Sequence, residues 1–333
     1  MLGIFLFVSS HLLRAVEYIP TGTFVTSAPT NTNIQDWQTG WTQPTVQPTG
    51  TTTYTTGWNY VGSVSADGGA SAVYLGNGWF VTASHVASTG GSLDVTLNGT
   101  VYPFVSSSTQ TLTTAVTTTT VSSTGTTTTT GASADLTLFR VSPAPALPPL
   151  PIRSSTPVEG ISHIVMIGFG DGGSHINPTW GYDLVNSNVN VAVPLYSWVS
   201  NDFETSNGTN VEYELVGGDS GGADFIYNST LSRWELAGIN EAELTNNDVQ
   251  VGSAFIQLNN STFSTTYAGY PATGDTTTFT GTATYATQID GIIAPTGVDT
   301  PAMPTWALVS MGMLLLGIVA RAKIMEGRAP ARP

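Results

Sequence analysis

The stretch Gly217-Gly218-Asp219-Ser220-Gly221-Gly222 predicts a tight turn that exposes the hydroxyl of one serine. Glycine adopts backbone conformations that other residues avoid, so flanking glycines can hold a serine in a strained turn with unpaired backbone N–H groups beside it. Free donors of this kind are what an oxyanion hole requires. Glycine-rich turns with Asp and Ser also make simple corners in β proteins, so the stretch alone leaves both interpretations open.

Two residues upstream supply the partners that a nucleophilic serine needs. The apolar run 78–86 reaches His85 near its end, and Asp135 stands at the head of the alternating run 134–141. A serine hydroxyl is a poor nucleophile near neutral pH and depends on an adjacent base, usually a histidine that a carboxylate orients. The order His85, Asp135, Ser220 therefore favours nucleophilic catalysis over a structural corner.

The three motifs together resemble the signatures of the trypsin-like (chymotrypsin-fold) serine proteases, which read roughly Thr-Ala-Ala-His, Asp-Ile-Ala-Leu and Gly-Asp-Ser-Gly-Gly. In this chain they read Thr82-Ala83-Ser84-His85, Asp135-Leu136-Thr137-Leu138 and Gly218-Asp219-Ser220-Gly221-Gly222. The resemblance covers residues 58–293. It implies an all-β fold of two packed six-stranded antiparallel β-barrels, the first over about 58–142 and the second over about 152–293.

The resemblance also implies a role for each residue of the site. His85 takes the proton of Ser220 and returns it to the leaving amine, while Asp135 holds the imidazole tautomer and balances its charge. The N–H groups of Gly218 and Ser220 bind the oxyanion. Taken alone, His85 would more often be structural and Asp135 could cap a strand. The other two histidines of the predicted domain, His163 and His175, are expected to be packed or solvated.

Asp219 is predicted to be a structural acid. In relatives that are made as zymogens, this carboxylate pairs with a new N-terminus, usually Ile-Val-Gly-Gly, and no such sequence lies between residues 40 and 50. We therefore expect folding alone to make the site competent. Asp219 would then pair with Arg140, Arg153 or Arg233, or accept hydrogen bonds from backbone N–H groups.

Three acids are candidates for the substrate pocket. Glu214 lies six residues before the serine, where the resemblance implies the base of the pocket, and Glu241 and Glu243 fall where its walls are expected. An acidic pocket would favour Lys or Arg before the scissile bond. A one-residue gap would replace Glu214 by Tyr213 or Leu215, and the acids are alternatively part of a generally acidic surface.

Composition limits both the fold and the partners. The 333-residue chain has no cysteine, so neither a disulfide nor thiolate chemistry is available, and only 9% of its residues are charged. Residues 18–300 hold three basic and twenty acidic residues. Such a surface repels nucleic acid and anionic lipid. The sequence contains no nucleotide-binding loop, metal cluster or cofactor motif, so no cofactor and no metal are expected.

Both ends of the chain predict export. Residues 1–17 fit a signal peptide, with a buried N-terminal segment as the alternative, and residues 18–57 form a low-complexity leader. Within 294–333, the apolar segment 302–320 is long enough to cross a bilayer and a basic tail follows. This arrangement resembles bacterial exosortase-type (PEP-CTERM-like) sorting signals, although Pro301-Ala302-Met303-Pro304 replaces the usual Pro-Glu-Pro. An exosortase-type enzyme is an expected partner, and a plain anchor is the alternative.

Between the ends, low-complexity stretches interrupt the predicted strands. Residues 107–131 are mostly Thr and Ser with little apolar material, which predicts a mobile surface loop; glycosylation or adhesion is its functional alternative. The proline-rich run 143–151 predicts the connection between barrels, residues 261–281 another Thr-rich insertion, and residues 285–293 a short closing helix.

These features predict a secreted or surface-anchored serine endopeptidase that cuts peptide bonds through an acyl-enzyme. A non-catalytic surface or adhesion protein with the same fold is one alternative, although the presence of all three catalytic side chains argues against it. A serine esterase that uses the same three residues is another alternative. A protein or peptide is the expected substrate, and the cell surface or exterior is the expected location.

Overall fold

The fold is that of a computed structural model of the 333-residue chain. The residues that the structure describes are 17–18, 57–66, 69–170, 178–185, 191–195, 198–206, 213–231, 233–246, 249–259, 263–268, 276–281 and 285–294. The chain divides into two compact units, residues 1–293 and 294–333. The elements below belong to the first unit. The predicted signal peptide, leader and C-terminal segment 302–320 lie almost wholly outside the described residues.

The described part of the chain is mostly β-strand. Its strands, in chain order, are β1 (Glu17–Tyr18), β2 (Val61–Val64), β3 (Ser71–Gly76), β4 (Trp79–Thr82), β5 (Val95–Leu97), β6 (Thr100–Tyr102), β7 (Gln110–Thr113), β8 (Thr117–Ser122), β9 (Gly125–Thr130), β10 (Ser133–Arg140), β11 (His163–Gly168), β12 (Thr179–Leu184), β13 (Val191–Leu195), β14 (Trp198–Ser206), β15 (Tyr213–Glu214), β16 (Ala223–Asn228), β17 (Arg233–Asn246), β18 (Val249–Gln257), β19 (Phe263–Ala268) and β20 (Thr276–Gly281). Helices are α1 (Ser84–Ala87) and α2 (Tyr285–Ile293), and Trp58–Tyr60 forms a 3₁₀ turn.

The first large sheet brings together the strands that precede His85 and carry Asp135. Its seven strands follow the order β6-β5-β2-β3-β4-β10-β7, and β10 pairs antiparallel with β4 so that Phe139 lies opposite Phe80. These two buried rings stack with centroids 5.8 Å apart. Aromatic pairs of this kind add to the free energy gained from burial, so this core holds β4 and β10 together beneath the site.

A tight hairpin joins β3 to β4. Gly76, Asn77 and Gly78 all have positive φ, at 124°, 52° and 80°. Gly and Asn tolerate this region best, so the Gly-Asn-Gly run sets the turn. The Asn77 side chain donates a 2.9 Å hydrogen bond to the carbonyl of Ile293 at the end of α2. The predicted helix 285–293 is thus confirmed, and its last turn is tied to the first sheet.

The second large sheet carries the serine. Its seven strands follow the order β12-β11-β16-β17-β18-β14-β13, all antiparallel neighbours. The strand β16 begins three residues after Ser220 and lies between β11 and β17. Its core residues Ala223, Phe225 and Ile226 are buried, so the chain leaving the serine is anchored in the interior at once. The proline-rich run 143–151 contains no strand and leads from one sheet to the next.

The prediction of a mobile loop over residues 107–131 is wrong. Residues 107–131 contain β7, β8 and β9 instead of a mobile loop, and residues 261–281 contain β19 and β20. The hairpins β8–β9 and β19–β20 pair through β8 and β20 into one four-stranded sheet with the order β19-β20-β8-β9. Threonine is β-branched and favours extended backbone, so it forms strands even where little apolar surface is buried.

The observed architecture matches the all-β expectation at the level of class. Few helices occur, and most of the described strands lie in two large antiparallel sheets, which is consistent with a chymotrypsin-like fold. Each sheet has seven strands where six were expected, and within the described residues each runs from one edge strand to another. Among those residues, no helix is long and apolar enough to span a bilayer.

Candidate active site

His85 and Asp135 meet at the junction of α1 and β10. The Nδ1 atom of His85 lies 2.6 Å from Oδ2 of Asp135, and the backbone N–H of His85 donates to Oδ1 at 2.8 Å. Asp135 is fully buried, whereas the His85 side chain keeps 15% of its surface exposed. Both carboxylate oxygens are therefore aimed at one residue. A carboxylate on Nδ1 restrains the imidazole and sets the roles of its two nitrogens.

Ser84 fixes the one-turn helix that presents His85. Its hydroxyl lies 2.7 Å from the hydroxyl of Thr137 and donates to the carbonyl of Ala134 at 3.2 Å. Ala134 and Thr137 lie on β10 on either side of Asp135. The two hydrogen bonds of Ser84 therefore hold α1 against β10 beside the His85–Asp135 contact. The sequence placed His85 at the end of a strand. The structure places it in α1, because the backbone turns at Ala83 after β4 ends.

The serine loop is built from successive tight turns. Gly218 and Gly221 have φ values of 93° and 82°, a region that costs other residues strain. The N–H of Asp219 donates to the Val216 carbonyl, and the N–H of Gly222 donates to the Asp219 carbonyl. Within the described residues, the N–H groups of Gly218 and Ser220 donate to no protein acceptor. The loop therefore leaves two backbone donors unused beside the serine hydroxyl.

The Ser220 hydroxyl donates a 3.1 Å hydrogen bond to the backbone carbonyl of Glu241. Across the described part of the chain, this is the hydroxyl's one hydrogen bond. Glu241 is the extra residue of a β-bulge in β17, since Asn240 pairs with Phe255 and Ala242 with Ala254. Bulges re-aim a strand locally and are common beside active sites. Here the bulge turns a carbonyl toward the serine.

Ser71 links the serine loop to the first sheet. Its N–H donates to the Ser220 carbonyl at 3.0 Å, and its hydroxyl accepts the N–H of Phe169 at 2.9 Å. A Cβ on Gly221 would collide with the Ser71 carbonyl and the Thr82 hydroxyl, so only glycine permits this approach. Thr82 lies three residues before His85 on the same chain. The contact therefore joins the serine loop to the segment that carries the histidine.

Asp219 is fully buried and accepts hydrogen bonds from backbone N–H groups. Its Oδ1 accepts from Gly170 at 3.1 Å and its Oδ2 from Val216 at 3.0 Å. Of the two predicted arrangements, the structure has the backbone one. Gly168 makes room for this carboxylate, because a Cβ there would collide with Oδ1 of Asp219.

The three arginines that were the other candidates for Asp219 are engaged elsewhere. Arg153 and Arg233 both pair with the carboxylate of Glu235, at 3.9 and 2.9 Å. The guanidinium of Arg140 lies 5.6 Å from the ring centre of Trp79. Burial lowers the pKa of Arg153, and the negative charge of Glu235 partly offsets that effect.

Asp224 is a second buried carboxyl near the serine, and no sequence pattern pointed to it. It lies on β16 and is fully buried, and neither of its oxygens accepts a hydrogen bond from the described residues. Burial raises the pKa of Asp224 well above its ordinary value, and the charge of Asp219 raises it further. A carboxyl without donors favours its neutral form, and in this Asp224 differs from Asp219, which accepts two backbone N–H groups.

Of the three acids predicted for the substrate pocket, only Glu241 has a described side chain. Glu241 is 2% exposed at the bulge, with its carbonyl on Ser220. Glu214 belongs to the short strand β15, where its backbone pairs with Glu17 of β1, and Glu243 lies opposite Ser253. The side chains of Glu214 and Glu243 fall outside what the structure describes.

The structure describes one of the other two histidines. His163 is the first residue of β11, where burial lowers its pKa, and His175 falls outside the described residues. No group of three or more acidic, His or Cys side chains in the described chain could hold a metal ion.

Sequence reasoning missed the residues that position the site. Ser71, Ser84 and Thr137 each act through contacts with residues far away along the chain. Single serines and threonines in a chain rich in both carry no local signal of such roles. The glycines around Ser220 could be identified from the sequence, because their close spacing indicates a strained turn.

Solved structures of one protease resemble this chain. The Rv3671c protease of M. tuberculosis in its inactive form is 13% identical over 60% of this chain and 84% of its own, with a TM-score of 0.42. A serine-to-alanine mutant in the inactive form is 14% identical over 74% and 90%, with a TM-score of 0.43. The active form is 13% identical over 60% and 77%, with a TM-score of 0.41.

Curated proteins give no match to this chain. Residues 70–239 match the trypsin-like peptidase domain. That range begins just before β3, ends within β17 and contains His85, Asp135 and Ser220. Because the match spans half of the sequence, the chain belongs to the trypsin-like peptidase family.

Proposed function

We propose that this peptidase is a serine endopeptidase with a chymotrypsin-like two-barrel domain, which cuts peptide bonds through an acyl-enzyme. Ser220 is the nucleophile, His85 the general base and acid, and Asp135 the residue that orients the base. The observation that carries the proposal is the 2.6 Å contact between His85 Nδ1 and the buried Asp135 carboxylate, which also accepts the His85 backbone N–H. A surface histidine with a structural role would not need both oxygens of a buried acid.

The proposed reaction begins with a rotation of the Ser220 side chain. Its hydroxyl leaves the Glu241 carbonyl and donates to Nε2 of His85, which takes the proton as Oγ attacks the substrate carbonyl carbon. The N–H groups of Gly218 and Ser220 bind the resulting oxyanion. His85 then gives the proton to the leaving amine as the peptide C–N bond breaks. Water next attacks the acyl carbon while His85 takes a proton from it, and His85 returns that proton to Ser220 Oγ as the ester C–O bond breaks.

An acidic pocket formed by Glu214, Glu241 and Glu243 would select Lys or Arg before the scissile bond. Support comes from the bulge that brings the Glu241 backbone to Ser220. The large excess of acids over bases in residues 18–300 would also attract cationic substrates.

We further propose that no proteolytic cut is needed for activity. The Asp219 carboxylate already accepts N–H groups from Gly170 and Val216, so its charge is solvated by backbone without a new N-terminus. Activity of protein whose N-terminus is intact by sequencing supports this; activity that arises only after cleavage contradicts it.

Export is the proposed setting. Residues 1–17 would direct secretion, and the segment 302–320 with its basic tail would be handled by an exosortase-type enzyme or kept as an anchor. The mature enzyme would then act at the cell surface or outside the cell. A shift in mass of the exported protein, measured at both ends by mass spectrometry, tests each processing step.

The decisive experiment compares the full chain with Ser220→Ala on a mixed peptide library read by mass spectrometry, in neutral detergent. Cleavage by the wild type alone is expected, and the residue before each cut reports what the pocket acids select. Matched peptide and ester substrates separate a peptidase from an esterase. Equal cleavage by both proteins, or none by the folded wild type, would overturn the proposal.

A further inference from the structure

The exposed edge strand β9 is the feature of the fold that the proposed reaction does not use. It is the last strand of the four-stranded Thr-rich sheet, so one side pairs with β8 and the other side pairs with no described strand. All six of its residues are exposed, and five of them are the threonines 126–130. Its backbone therefore presents a row of unpaired donors and acceptors to solvent.

Three other edges among the described strands, β6, β13 and β7, carry features that hinder further pairing. The strand β6 has three residues and is followed at once by Pro103, and β13 contains Pro194. At β7, the Gln288 side chain of α2 accepts the N–H of Thr113 and donates to its carbonyl. By contrast, β9 contains no proline and no charge, and its pairing with β8 runs from Gly125 to Thr130 without a bulge. These are the properties of an edge that accepts another strand.

The charge distribution indicates what can approach this edge. No charged residue occurs between Asp94 and Asp135, a span that contains the whole β8–β9 hairpin, although the chain carries a formal net charge of −14. Two copies of so acidic a protein repel each other over most of their surface. The β9 edge is a place where they can meet without bringing acids together.

The molecule already contains the contact that a second copy would make. Across β8 and β9, the hydroxyl oxygens of Thr117 and Thr130 lie 2.9 Å apart, and those of Thr119 and Thr128 lie 3.4 Å apart. Threonines directly opposite each other stabilise antiparallel strands. Two Thr-rich strands of this protein can therefore pair with hydrogen bonds between opposite threonine hydroxyl groups.

We propose that two copies of this chain dimerise by antiparallel pairing of β9 with β9, which joins their Thr-rich sheets into one eight-stranded sheet. The pairing is two-fold symmetric, so it satisfies both edges and closes on itself. A foreign peptide would satisfy only one edge, and β9 offers it no side-chain pocket for selection. A six-residue strand pair buries less surface than stable complexes of about 1,200 Å² or more, so the dimer is weak and concentration-dependent.

The test uses the full chain in neutral detergent, with the dimer constant measured by sedimentation over a concentration series. Thr128→Glu places like charges in the paired strands and is expected to weaken the dimer by about tenfold or more. Two controls, Thr128→Ser and Val101→Glu in the exposed edge strand β6, should leave it within about twofold. Thermal unfolding checks that each variant is folded.

Because the chain has no cysteine, single cysteines report the interface directly. Thr128→Cys should give a cross-linked dimer with a short bis-maleimide, and Val101→Cys should not. A wild type that stays monomeric at every concentration overturns the proposal. So does a dimer that Thr128→Glu leaves unchanged, one that Val101→Glu weakens equally, or cross-linking through position 101 instead of position 128.

Discussion

Three buried aspartates, Asp135, Asp219 and Asp224, differ in what their carboxylates accept. Asp135 accepts the backbone N–H of His85 and contacts its ring, and Asp219 accepts two backbone N–H groups. Asp224 accepts no hydrogen bond from the described residues. The same side chain therefore contacts a histidine at one position, is held by two backbone donors at another and favours its proton at the third, according to the donors that each position supplies.

At Asp135, the amide variant separates charge from shape. Asp135→Asn keeps the side-chain volume, but its amide can no longer accept at both oxygens, so the histidine loses its preferred tautomer. We expect kcat to fall by about 10⁴-fold. Peptide hydrolysis measured beside thermal unfolding separates this loss from misfolding. A folded variant within about tenfold of the wild type would contradict the proposed role.

At Asp224, the prediction concerns stability and pH. Burial raises the folded pKa above the unfolded value, so the folded state holds a proton that the unfolded state releases. The stability of the wild type should therefore fall as pH rises above about 4, by up to about 1.4 kcal/mol per pH unit, until pH exceeds the raised pKa. Asp224→Asn should remove this loss.

The measurement for Asp224 is urea unfolding at several pH values, with Ser220→Ala in both proteins to prevent self-digestion. The free energy of unfolding of the Asp224→Asn variant minus that of the parent should increase as pH rises. Above the raised pKa of Asp224 this difference should stay constant. Parallel profiles over the whole range would show that Asp224 does not hold a proton in the folded state.

Among the elements, the four-stranded Thr-rich sheet joins the two halves of the domain. The hairpin β8–β9 projects from the first large sheet between β7 and β10, and β19–β20 follows β18 of the second. Their pairing through β8 and β20 ties the half that carries His85 and Asp135 to the half that carries Ser220. Without disulfides, such backbone pairing is one way to hold the halves in register.

Thr119→Pro tests this sheet. Thr119 lies in β8, which pairs on both sides, so proline removes a hydrogen bond of the sheet whichever way the N–H points. We expect a loss of roughly 2 kcal/mol or more in unfolding free energy. Ser123→Pro in the β8–β9 turn is the matched control, because the N–H of Ser123 donates to no described acceptor. Equal losses in both variants would show that the strand pairing contributes little.

For the whole molecule, the low content of basic residues sets long-range electrostatics. Residues 18–300 hold three basic and twenty acidic residues, and two of the three arginines, Arg153 and Arg233, share the carboxylate of Glu235. The field that a substrate meets is therefore strongly negative. Electrostatic attraction of this kind changes association rates and is screened by salt.

Salt dependence of hydrolysis measures this effect. For a cationic peptide, kcat/KM should fall by about tenfold between low salt and about 1 M salt, because attraction to the acidic surface is screened. A neutral peptide of the same length should be hydrolysed at nearly the same rate throughout. Parallel salt profiles for the two peptides would show that the negative charge does not steer substrates.

The amino-acid sequence by itself determined what depends on short stretches. The hairpin around Asn77 and the helix 285–293 were predictable because glycine spacing and local patterning restrict the backbone within a few residues. The order of His85, Asp135 and Ser220 was likewise readable, since each lies in a motif whose chemistry is local. The mostly β class was implied by the resemblance of the three motifs to the trypsin-like serine proteases.

Only the tertiary structure decided what depends on distant residues meeting. The bulge at Glu241, the bond from Ser71 to Ser220 and the burial of Asp224 arise from strand register, which no local pattern specifies. Residues 107–131 were predicted to form a loop because they contain little apolar material to bury. They form strands because the β8–β9 hairpin pairs with the β19–β20 hairpin. Strand pairing joins residues that are far apart in the sequence, so the partner of each strand is set only when the whole chain folds.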